Sequence, residues 1–378
     1  MVGGIVAEYN PFHNGHLYHI EKTKERCDKV IVALSGDVCQ RGEFAAISKY
    51  SRAKAAVLAG ADLVIEIPAV SVLSGAQNFS KAAVCLLETL GADILSFGSE
   101  KGDKEYLKEA LDRLSKAEDN GEIAKAQKSG KSYPRIIGEI IGEIGPNDTL
   151  ALEYLKAKKD STDFIAIKRE AVEHDDKKRS GAFASASYIR EKGIKVSEEL
   201  IPNFAFDLFK NEPEFNKALC EEVMLSHLKR LSVSEIEDCP AVSEGLENRI
   251  YEALRKTESI EEALNLIKTK RYTHARLRRI LMCLYLGIKK EDIIELPYIR
   301  VLALNEKGAE ILKRAKKSSS IPIVTSLSEA KKISSIAEKE AFATDMRRFF
   351  CGERGNFGED FRYSPKILTD FKKSNKIK

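Results

Sequence analysis

The stretch that decides the fold lies near the start of the chain and reads Gly4-Ile5-Val6-Ala7-Glu8-Tyr9-Asn10-Pro11-Phe12-His13-Asn14-Gly15-His16-Leu17. Its first four residues form a short apolar run, which predicts a strand buried on both faces. A polar turn follows, and a helical period then runs from about residue 15 to about residue 26. A strand, turn and helix in this order are typical of an open parallel α/β sheet, in which ligands bind where the strands end.

The same unit recurs through the first half of the chain. Gly60 and Gly91 each end a helical stretch just before a strand begins. We predict strands at residues 4–7, 30–34, 63–67, 94–97 and 164–167, and helices at about residues 15–26, 48–59, 80–90, 104–117 and 148–158. The fold class is therefore α/β, with a Rossmann-like five-stranded parallel sheet in a catalytic domain covering residues 1–195.

Beyond residue 195 the pattern becomes helical. Residues 244–257 and 260–268 carry apolar side chains at helical spacing, and residues 321–324 form one isolated strand candidate. A chain of 378 residues also exceeds the usual span of one hydrophobic core. We therefore predict a second, mainly helical domain over residues 196–378.

Composition excludes several classes of protein. Hydrophobic residues make up 43% and charged residues 32%, as in a folded globular chain. The 62 Lys and Arg nearly balance the 58 Asp and Glu, so the net charge of +4 does not by itself imply nucleic-acid binding. The seven cysteines are odd in number and never spaced as C-x-x-C, which favours neither a disulfide framework nor a zinc knuckle. Since neither a secretory signal nor a membrane-spanning run is evident, we expect a cytoplasmic protein without membrane association.

The polar turn after the first strand carries the strongest chemical signal. A helix N-terminus offers free N–H groups and a dipole that favours a phosphate, and Gly15 lets the backbone approach closely. His13 and His16, three residues apart, can both donate hydrogen bonds to one anion. The alternative is a pair of surface or metal-binding histidines, but a strand, turn and helix in this order are the frame that a phosphate needs.

Other polar residues follow the later strands. Ser185, Ser187 and Arg190 lie at the predicted start of a helix after the fifth strand, where an ordinary helix cap is the alternative interpretation. Arg169 ends that strand and can neutralise phosphates or stack on a base. Asn147 precedes a helix and either caps it or contacts a nucleotide, and Gly98 is either a turn glycine or a point of close approach. These alternatives remain open from the residues alone.

The His-x-Gly-His pattern at this place resembles the signature of the nucleotidylyltransferase superfamily. Further segments are similar to bacterial tRNA(Met) cytidine acetate ligases, and the resemblance covers nearly the whole chain. They are Gln40-Arg41-Gly42-Glu43, Gly60-Ala61-Asp62-Leu63-Val64-Ile65-Glu66-Ile67-Pro68, Phe97-Gly98-Ser99-Glu100, Pro146-Asn147, Ile167-Lys168-Arg169 and Lys270-Arg271-Tyr272-Thr273. Ala151, four residues after Asn147, and the segment Gln77-Asn78-Phe79-Ser80 depart from the family pattern.

The resemblance implies an enzyme that joins acetate and ATP into acetyl-adenylate and then acetylates N4 of the wobble cytidine of elongator tRNA(Met). It implies catalytic roles for His13 and His16 toward the triphosphate, with Mg²⁺ accompanying ATP and no protein metal ligand assigned. The implied ATP-binding residues are Val6, Ala7, Glu8, Tyr9, Asn10, Pro11, Phe12, His13, Asn14, Gly15, His16, Leu17, Tyr18, His19, Gly98, Asn147, Arg169, Ser185, Ser187 and Arg190.

Basic residues in the second half suggest where a tRNA could bind. The cluster predicted to bind it is Lys270, Arg271, Tyr272, Arg276 and Arg279, and Arg347 with Arg348 precedes a Phe-Phe pair. Such residues suit a phosphate backbone with stackable rings, although a charge run is more often a solvated helix face. We expect the cluster to lie on the same side of the molecule as His16.

Two other functions are compatible with the same residues. One is a small-molecule adenylyltransferase of the same fold, which leaves the helical domain unexplained. The other is a non-catalytic, nucleotide-dependent RNA-binding protein, against which the intact His13, His16 and Arg190 argue.

Overall fold

The computed structural model describes residues 1–129, 131, 133–169, 183–243, 245–269, 272–293 and 296–368. Its strands are β1 (Val2–Ala7), β2 (Lys29–Ser35), β3 (Val38–Cys39), β4 (Glu43–Phe44), β5 (Leu63–Ile67), β6 (Ile94–Ser99), β7 (Asp163–Lys168), β8 (Ile299–Leu304) and β9 (Ile323–Val324). All five strands predicted from the sequence are present, as β1, β2, β5, β6 and β7. The fold class is confirmed.

The helices of the first half alternate with these strands as the sequence predicts. They are α1 (Asn14–Lys24), α2 (Lys49–Leu58), α3 (Ala69–Val72), α4 (Ala76–Thr89), α5 (Lys104–Asp119), α6 (Glu122–Lys128), α7 (Tyr133–Ile141), α8 (Pro146–Ala157) and α9 (Ala186–Lys192). The second half adds α10 (Asn203–Phe209), α11 (Lys217–Arg230), α12 (Val233–Glu237), α13 (Leu246–Lys256), α14 (Ile260–Ile267), α15 (His274–Leu286), α16 (Glu306–Ala315), α17 (Leu327–Lys331), α18 (Ile336–Phe350) and α19 (Glu359–Arg362). Short 3₁₀ turns occupy residues 194–196, 198–200 and 290–292.

Among the described residues, seven strands form one sheet in the order β7, β6, β1, β2, β5, β8, β9. The five predicted strands run parallel to one another, and β1 pairs with β2 from Val2 opposite Lys29 to Ala7 opposite Leu34. Because parallel strands point the same way, their carboxyl ends meet at one edge of the sheet. This edge is where the polar turn after β1 lies.

The sheet packs helices on both faces. Alternate residues of β2 enter different cores: Ile31 and Ala33 face the one that includes α4, α5 and α8, whereas Val32 and Leu34 face the one that includes α1, α2 and α10. This alternation follows from the two-residue period of a strand. Burial on both faces explains why the strands read as continuous apolar runs.

The structure adds two strands from the second half of the chain. β8 pairs antiparallel with β5, with Leu63 opposite Leu304, and β9 pairs parallel with β8. The sequence predicted the second of these at residues 321–324 but missed β8. The division into two domains at residue 195 stays a prediction. The sheet itself contains strands from before and after this residue. Within the described part of the chain, no helix has the length and apolar character needed to span a membrane.

Candidate active site

A cavity of about 320 Å³ opens at the carboxyl edge of the sheet, where β1, β6 and β7 end. Its wall contains most of the residues that the sequence predicts for a nucleotide site. These are Val6, Ala7, Glu8, Tyr9, Asn10, His13, Gly15, His16, Tyr18, His19, Gly98, Asn147, Arg169, Ser185, Ser187 and Arg190. Residues separated by nearly two hundred positions in the chain are thus brought together around one cavity.

His13 and His16 together form the N-terminal cap of α1. The Nδ1 atom of His13 accepts the Gly15 backbone N–H at 3.1 Å, and the Nδ1 atom of His16 accepts the His13 backbone N–H at 3.2 Å. The two side chains take the places that Ser and Glu usually take in a capping box. Since each Nδ1 accepts a hydrogen bond, each neutral ring carries its proton on Nε2.

The cavity favours the neutral form of both rings. They stack with their centroids 3.7 Å apart and their planes 24° from parallel. Burial, followed by the nearby Arg169 and Arg190, lowers the pKa of His13 to about 3. Burial and the neighbouring His13 lower the pKa of His16 well below its ordinary value. At neutral pH the pair therefore offers two Nε2–H donors without a positive charge.

Gly15 is required by the close approach of His13. A Cβ atom at position 15 would lie 3.0 Å from Cε1 and 3.1 Å from Nδ1 of the His13 ring. Such contacts are tighter than an ordinary van der Waals contact, so the ring would have to move away from its backbone donor. The glycine of the motif therefore fixes the geometry of the first histidine.

Four residues of the same predicted stretch stand behind the cavity wall. Phe12 is fully buried and packs on Tyr9 and Phe204, Pro11 is buried beside it, and Leu17 packs against the same core. The Asn14 amide donates to the Glu199 carbonyl at 2.9 Å, away from the ring pair. Side chains alternate around a turn and a helix, so a continuous run cannot all face one cavity.

His19 lies one turn further along α1 and also lines the cavity. Its Nε2 atom is 3.0 Å from the Ser96 hydroxyl on β6, which in turn is 2.7 Å from the Thr23 hydroxyl. Burial lowers the pKa of His19 to about 4. This network joins α1 to the neighbouring strand and holds the third ring in place.

The second predicted motif begins α9 on the same cavity. Ser185 is the N-cap of this helix and accepts the Tyr188 N–H at 3.1 Å, so the ordinary capping role is realised for that residue. Ser187 lies 3.4 Å from Arg190, whose guanidinium also donates to the Asn10 carbonyl at 2.6 Å. Arg190 therefore joins α9 to the turn after β1.

Asn147 is held by Glu100 and does not cap α8 through its own side chain. The Glu100 carboxylate accepts the backbone N–H groups of Asn147 at 3.0 Å and Asp148 at 2.8 Å, together with the Asn147 side-chain amide. The remaining amide oxygen faces Arg169 at 3.5 Å. A Cβ at Gly98 would lie 3.5 Å from the Arg169 side chain, an ordinary contact. These residues form the wall at β6 and β7.

Several residues of the cavity wall were not predicted as site residues from the sequence. Gln40 and Arg41 come from the β3–β4 hairpin, residues 38–44, and Phe79, Leu150 and Tyr154 come from helix faces. The spacing of Asn147, Leu150 and Tyr154 along α8 places them on one helix face, which is a signal that was available in the sequence. The hairpin has no comparable periodic signal, since each of its strands has only two residues, and the only pointer to it was the resemblance of Gln40-Arg41-Gly42-Glu43.

Two residues of the predicted basic cluster, Arg276 and Arg279, lie on α15 next to that hairpin. Arg279 donates to the Gln40 carbonyl at 3.3 Å, and the guanidinium of Arg276 lies 4.8 Å from the centroid of the Tyr272 ring. Tyr272 is buried, so its ring supports Arg276 and is not exposed for stacking. Lys270 and Arg271 lie outside the described residues. α15 thus abuts the element that carries Gln40 and Arg41 into the cavity.

Arg347 does not belong to a nucleic-acid surface. Its side chain is buried and donates to the carbonyls of Ala45 and Ala46 at 3.0 and 2.9 Å, and to Glu212 at 2.9 Å. A buried guanidinium with these partners ties α18 to the segment after the hairpin. The expectation that Arg347 faces a phosphate backbone was wrong, because its guanidinium is buried and forms an ion pair with Glu212.

The chemistry of the cavity suits a polyphosphate. Two Nε2–H donors, the hydroxyl of Ser187 and the guanidinium groups of Arg169 and Arg190 all lie in its wall. Donors of this kind stabilise negative charge that develops on phosphate oxygens without forming a covalent bond. Within the described residues, no group of three or more His, Cys, Asp or Glu side chains is arranged to hold a metal ion.

Comparisons with known proteins agree with this geometry. A family model described as HIGH Nucleotidyl Transferase matches residues 1–354. A tRNA(Met) cytidine acetate ligase from Thermoanaerobacter sp. (strain X514) is 40% identical, over 95% of this chain and 97% of that protein. Another, from Clostridium novyi (strain NT), is 35% identical over 86% of this chain and 90% of its own length.

Two solved structures of a related protein have a similar fold. The crystal structure of Thermotoga maritima TmcAL in apo form I is similar with a TM-score of 0.86 and 30% sequence identity, covering 97% of this chain and 100% of that one. A crystal structure of the same protein bound with alpha-thio ATP has a TM-score of 0.85, also at 30% identity, covering 97% and 99% of the two chains. Both similarities extend across the two halves of the chain.

Proposed function

The chain belongs to the tRNA(Met) cytidine acetate ligase family within the HIGH nucleotidyl transferases, and from that premise we propose how it works. In this proposal the enzyme activates acetate with ATP to acetyl-adenylate and acetylates N4 of the wobble cytidine of elongator tRNA(Met). The observation that carries the proposal is the convergence of His13, His16, Ser187, Arg169 and Arg190 on one cavity. A tRNA substrate also supports a cytoplasmic location.

ATP is proposed to bind with its triphosphate across the turn after β1 and the start of α9. The Nε2–H groups of His13 and His16 donate to phosphate oxygens, and Arg190 and Arg169 supply positive charge on either side. The adenosine is proposed to lie against Gly98, Asn147 and Arg169, where β6 and β7 end. Mg²⁺ is proposed only as the companion of ATP, because it commonly bridges phosphate oxygens.

Activation of acetate requires displacement at the α-phosphorus. An acetate oxygen attacks this phosphorus, the bond to the bridging oxygen breaks, and pyrophosphate leaves with the electron pair. Charge grows on the phosphate oxygens in the transition state, and neutral imidazoles that already point at the cavity stabilise it without reorganisation. The mixed anhydride then carries an acetyl group that a weak nucleophile such as the cytosine amine can accept.

The tRNA is proposed to approach over α15 and the β3–β4 hairpin. Arg276 and Arg279 are the proposed phosphate contacts, with Lys270 and Arg271 as further candidates and Tyr272 as the buried ring beneath Arg276. The support is the contact of Arg279 with Gln40, a residue of the cavity wall. An anticodon held on this surface would lie beside the hairpin that carries Gln40 and Arg41 into the cavity.

An acetylation assay tests the proposed function. The purified protein is incubated with ATP, labelled acetate and elongator tRNA(Met), and N4-acetylcytidine is measured by mass spectrometry after digestion of the tRNA. We expect the modified nucleoside only when all three substrates are present. A dinucleotide product formed without tRNA would favour a small-molecule adenylyltransferase, and tRNA binding without any product would favour a non-catalytic protein.

Salt dependence tests the proposed tRNA surface. Arg279→Ala removes one proposed phosphate contact, so the slope of log affinity against log salt concentration should become shallower by about 1. Filter binding of tRNA across a salt series measures this slope. Arg113→Ala, at an exposed position on α5, serves as the matched control and should leave the slope unchanged. Equal slopes for the two variants would reject the surface.

A further inference from the structure

The cavity has a defined layout that follows from the order of the strands. Gly98, Asn147 and Arg169 stand at β6 and β7 on one side, and the histidine pair stands at β1 in the centre. The opposite side is formed by Gln40 and Arg41 from the hairpin that follows β2. A substrate that enters past α15 therefore meets the hairpin side first.

Glu8 is the carboxylate of this side of the cavity. It follows directly on Ala7, the last residue of β1, and its Oε1 atom accepts the Gln40 backbone N–H at 2.6 Å. Within the described part of the chain, Oε2 has no hydrogen-bond partner, and the side chain lines the cavity. One oxygen is thus anchored to the hairpin while the other is available inside the cavity.

Charged and titratable groups around Glu8 leave it able to take up a proton. Burial raises the pKa of Glu8 above its ordinary value and Glu43 adds to the rise, whereas the hydrogen bond from the Gln40 backbone and the charges of Arg52 and Arg190 oppose it. Arg190 is 3.4 Å from Glu43, and Arg52 donates to the backbone carbonyls of Glu8 at 2.6 Å and Ser35 at 3.0 Å. The remaining neighbours, Cys39 and Tyr154, are buried and carry no charge at neutral pH because their pKa values are raised.

The other groups near Glu8 that could accept a proton already have hydrogen-bond or ion-pair partners. His13 and His16 use Nδ1 to accept backbone N–H groups and carry a proton on Nε2, so neither ring has a free site for another proton without losing the cap. The Nε2 atom of His19 is paired with Ser96. Glu43 is outside the cavity wall and is paired with Arg190. Glu8 is left as the carboxylate with an available oxygen on the side where the tRNA is proposed to enter.

We propose that Glu8 is the general base of the acetyl-transfer step, a role that rests on the proposed function. The N4 amine of cytidine attacks the carbonyl carbon of acetyl-adenylate, and a C–N bond forms. One N4 proton passes to the Glu8 carboxylate. The bond between the carbonyl carbon and the phosphate oxygen then breaks, and AMP leaves with the electron pair. No oxidant, reductant or further reactant is needed.

Two assays on the same protein separate this role from acetate activation. Acetate-dependent exchange of pyrophosphate into ATP reports formation of acetyl-adenylate and needs no tRNA, whereas acetylation of tRNA(Met) reports both steps. Glu8→Gln keeps an oxygen that accepts the Gln40 N–H but cannot take up a proton. We expect the ratio of transfer rate to exchange rate to fall by about 10²–10⁴-fold, the usual contribution of a general base.

A matched variant and a pH profile exclude a merely structural role. Glu122→Gln changes an exposed carboxylate on α6, outside the cavity wall, and should leave the ratio of transfer to exchange as it is in the unchanged enzyme. The transfer rate of the unchanged enzyme should fall as pH drops through the raised pKa of Glu8, because only the ionised carboxylate accepts the proton. Glu8→Asp should retain this acidic limb, and Glu8→Gln should lack it.

Three results would contradict the role of Glu8, and a fourth would contradict the proposed function. An unaltered ratio in Glu8→Gln, or an equal loss of exchange and transfer, would overturn the role of Glu8. If Glu8→Gln does not fold, the pH profile of the unchanged enzyme decides, and the same profile for transfer and exchange would overturn the role. Absence of acetate-dependent exchange in the unchanged enzyme would instead contradict the proposed function itself.

Discussion

At the scale of single residues, the two histidines of the first turn divide their ring nitrogens between folding and chemistry. Nδ1 of each ring accepts a backbone N–H and completes the cap of α1, which leaves Nε2–H for the cavity. An imidazole can do both because it has one acceptor and one donor in its neutral form. The same hydrogen bonds that begin the helix therefore set the tautomer that a phosphate requires.

Replacement of His16 tests the donor role. His16→Ala removes one Nε2–H donor, and loss of a single donor of this kind usually costs about 10²–10³-fold in rate. We expect that loss in acetate-dependent pyrophosphate exchange, with a circular dichroism spectrum that matches the unchanged protein. His227→Ala, at an exposed position on α11, is the control and should keep full activity. Full exchange activity in His16→Ala would rule out a catalytic contact.

The lowered pKa of His13 predicts a pH dependence of stability. The pKa is about 3 in the folded protein and near 6.5 in the unfolded chain, so the unfolded chain binds a proton first as pH falls. Stability is therefore complete above pH 6.5 and is lost progressively as pH falls toward 3. Asn is a good N-cap residue and does not titrate, so His13→Asn removes this dependence while keeping a cap.

Chemical denaturation at about pH 7.5 and about pH 5 measures this effect. The unchanged protein should lose about 2 kcal/mol more free energy of unfolding than His13→Asn over that interval, because one full pKa unit corresponds to 1.36 kcal/mol. If both proteins lose the same amount, His13 is not held neutral in the folded state.

Sequence reasoning located most of the cavity wall because its residues follow strand ends, where position along the chain determines position in the fold. It also included Phe12 and Leu17, whose side chains pack into the core and not into the cavity. A sequence motif does not show which of its side chains face the ligand. It missed Gln40 and Arg41, which reach the cavity only through tertiary packing of the hairpin. Contacts between distant segments have no periodic signature in the sequence.

At the scale of elements, the sequence predicted the parallel strands because each is a short apolar run between a helix and a turn. β8 was missed because it stands among helices and Arg300 interrupts its apolar pattern. The structure shows why an arginine is tolerated there: Arg300 is buried and bound to Glu66 at 2.8 Å and to Asp360. A partner supplied by a later segment cannot be read from the strand itself.

The contact between the hairpin and α15 depends on Gly42. This residue has a φ of +75°, and a Cβ there would lie 2.5 Å from the backbone carbon of Arg278 and 2.6 Å from the nitrogen of Arg279. Gly42→Ala should therefore push α15 away from the hairpin and lower tRNA acetylation more than pyrophosphate exchange. Both activities are measured on the same preparation.

Gly121→Ala provides the comparison, since Gly121 has a φ of +71° and a Cβ at this position would meet nothing within 4 Å. It carries the same backbone cost, about 1–2 kcal/mol, without the collision. Identical ratios of acetylation to exchange in the two variants would show that the hairpin contact does not matter for the tRNA.

At the scale of the whole molecule, a buried ionic cluster joins segments from both halves of the chain. Lys49 on α2 is bonded to Glu66 on β5 at 2.8 Å and to Asp360 on α19 at 2.7 Å, and Arg300 on β8 contacts the same two carboxylates. All four side chains are at most 3% exposed. Removing one member leaves buried charges without a partner, which is far more costly than losing a surface pair.

Asp360→Asn tests this coupling. We expect the free energy of unfolding to fall by about 3–5 kcal/mol, because Lys49 and Arg300 lose a shared buried counter-ion. Asp112→Asn breaks an exposed pair with Lys116 on α5 and should cost only about 0.3–0.5 kcal/mol. Denaturant titration of the three proteins gives the comparison, and similar values for the two variants would contradict a role of the cluster in stability.

The antiparallel pairing of β8 with β5 also has a consequence for biosynthesis. A ribosome makes β5 long before it makes β8, and at about 5–20 residues per second the interval is on the order of tens of seconds. During that time the outer side of β5 has no strand beside it, and unpaired strand edges are prone to associate with other chains. The nascent chain therefore depends on shielding of this edge until its own later segment emerges and takes the place.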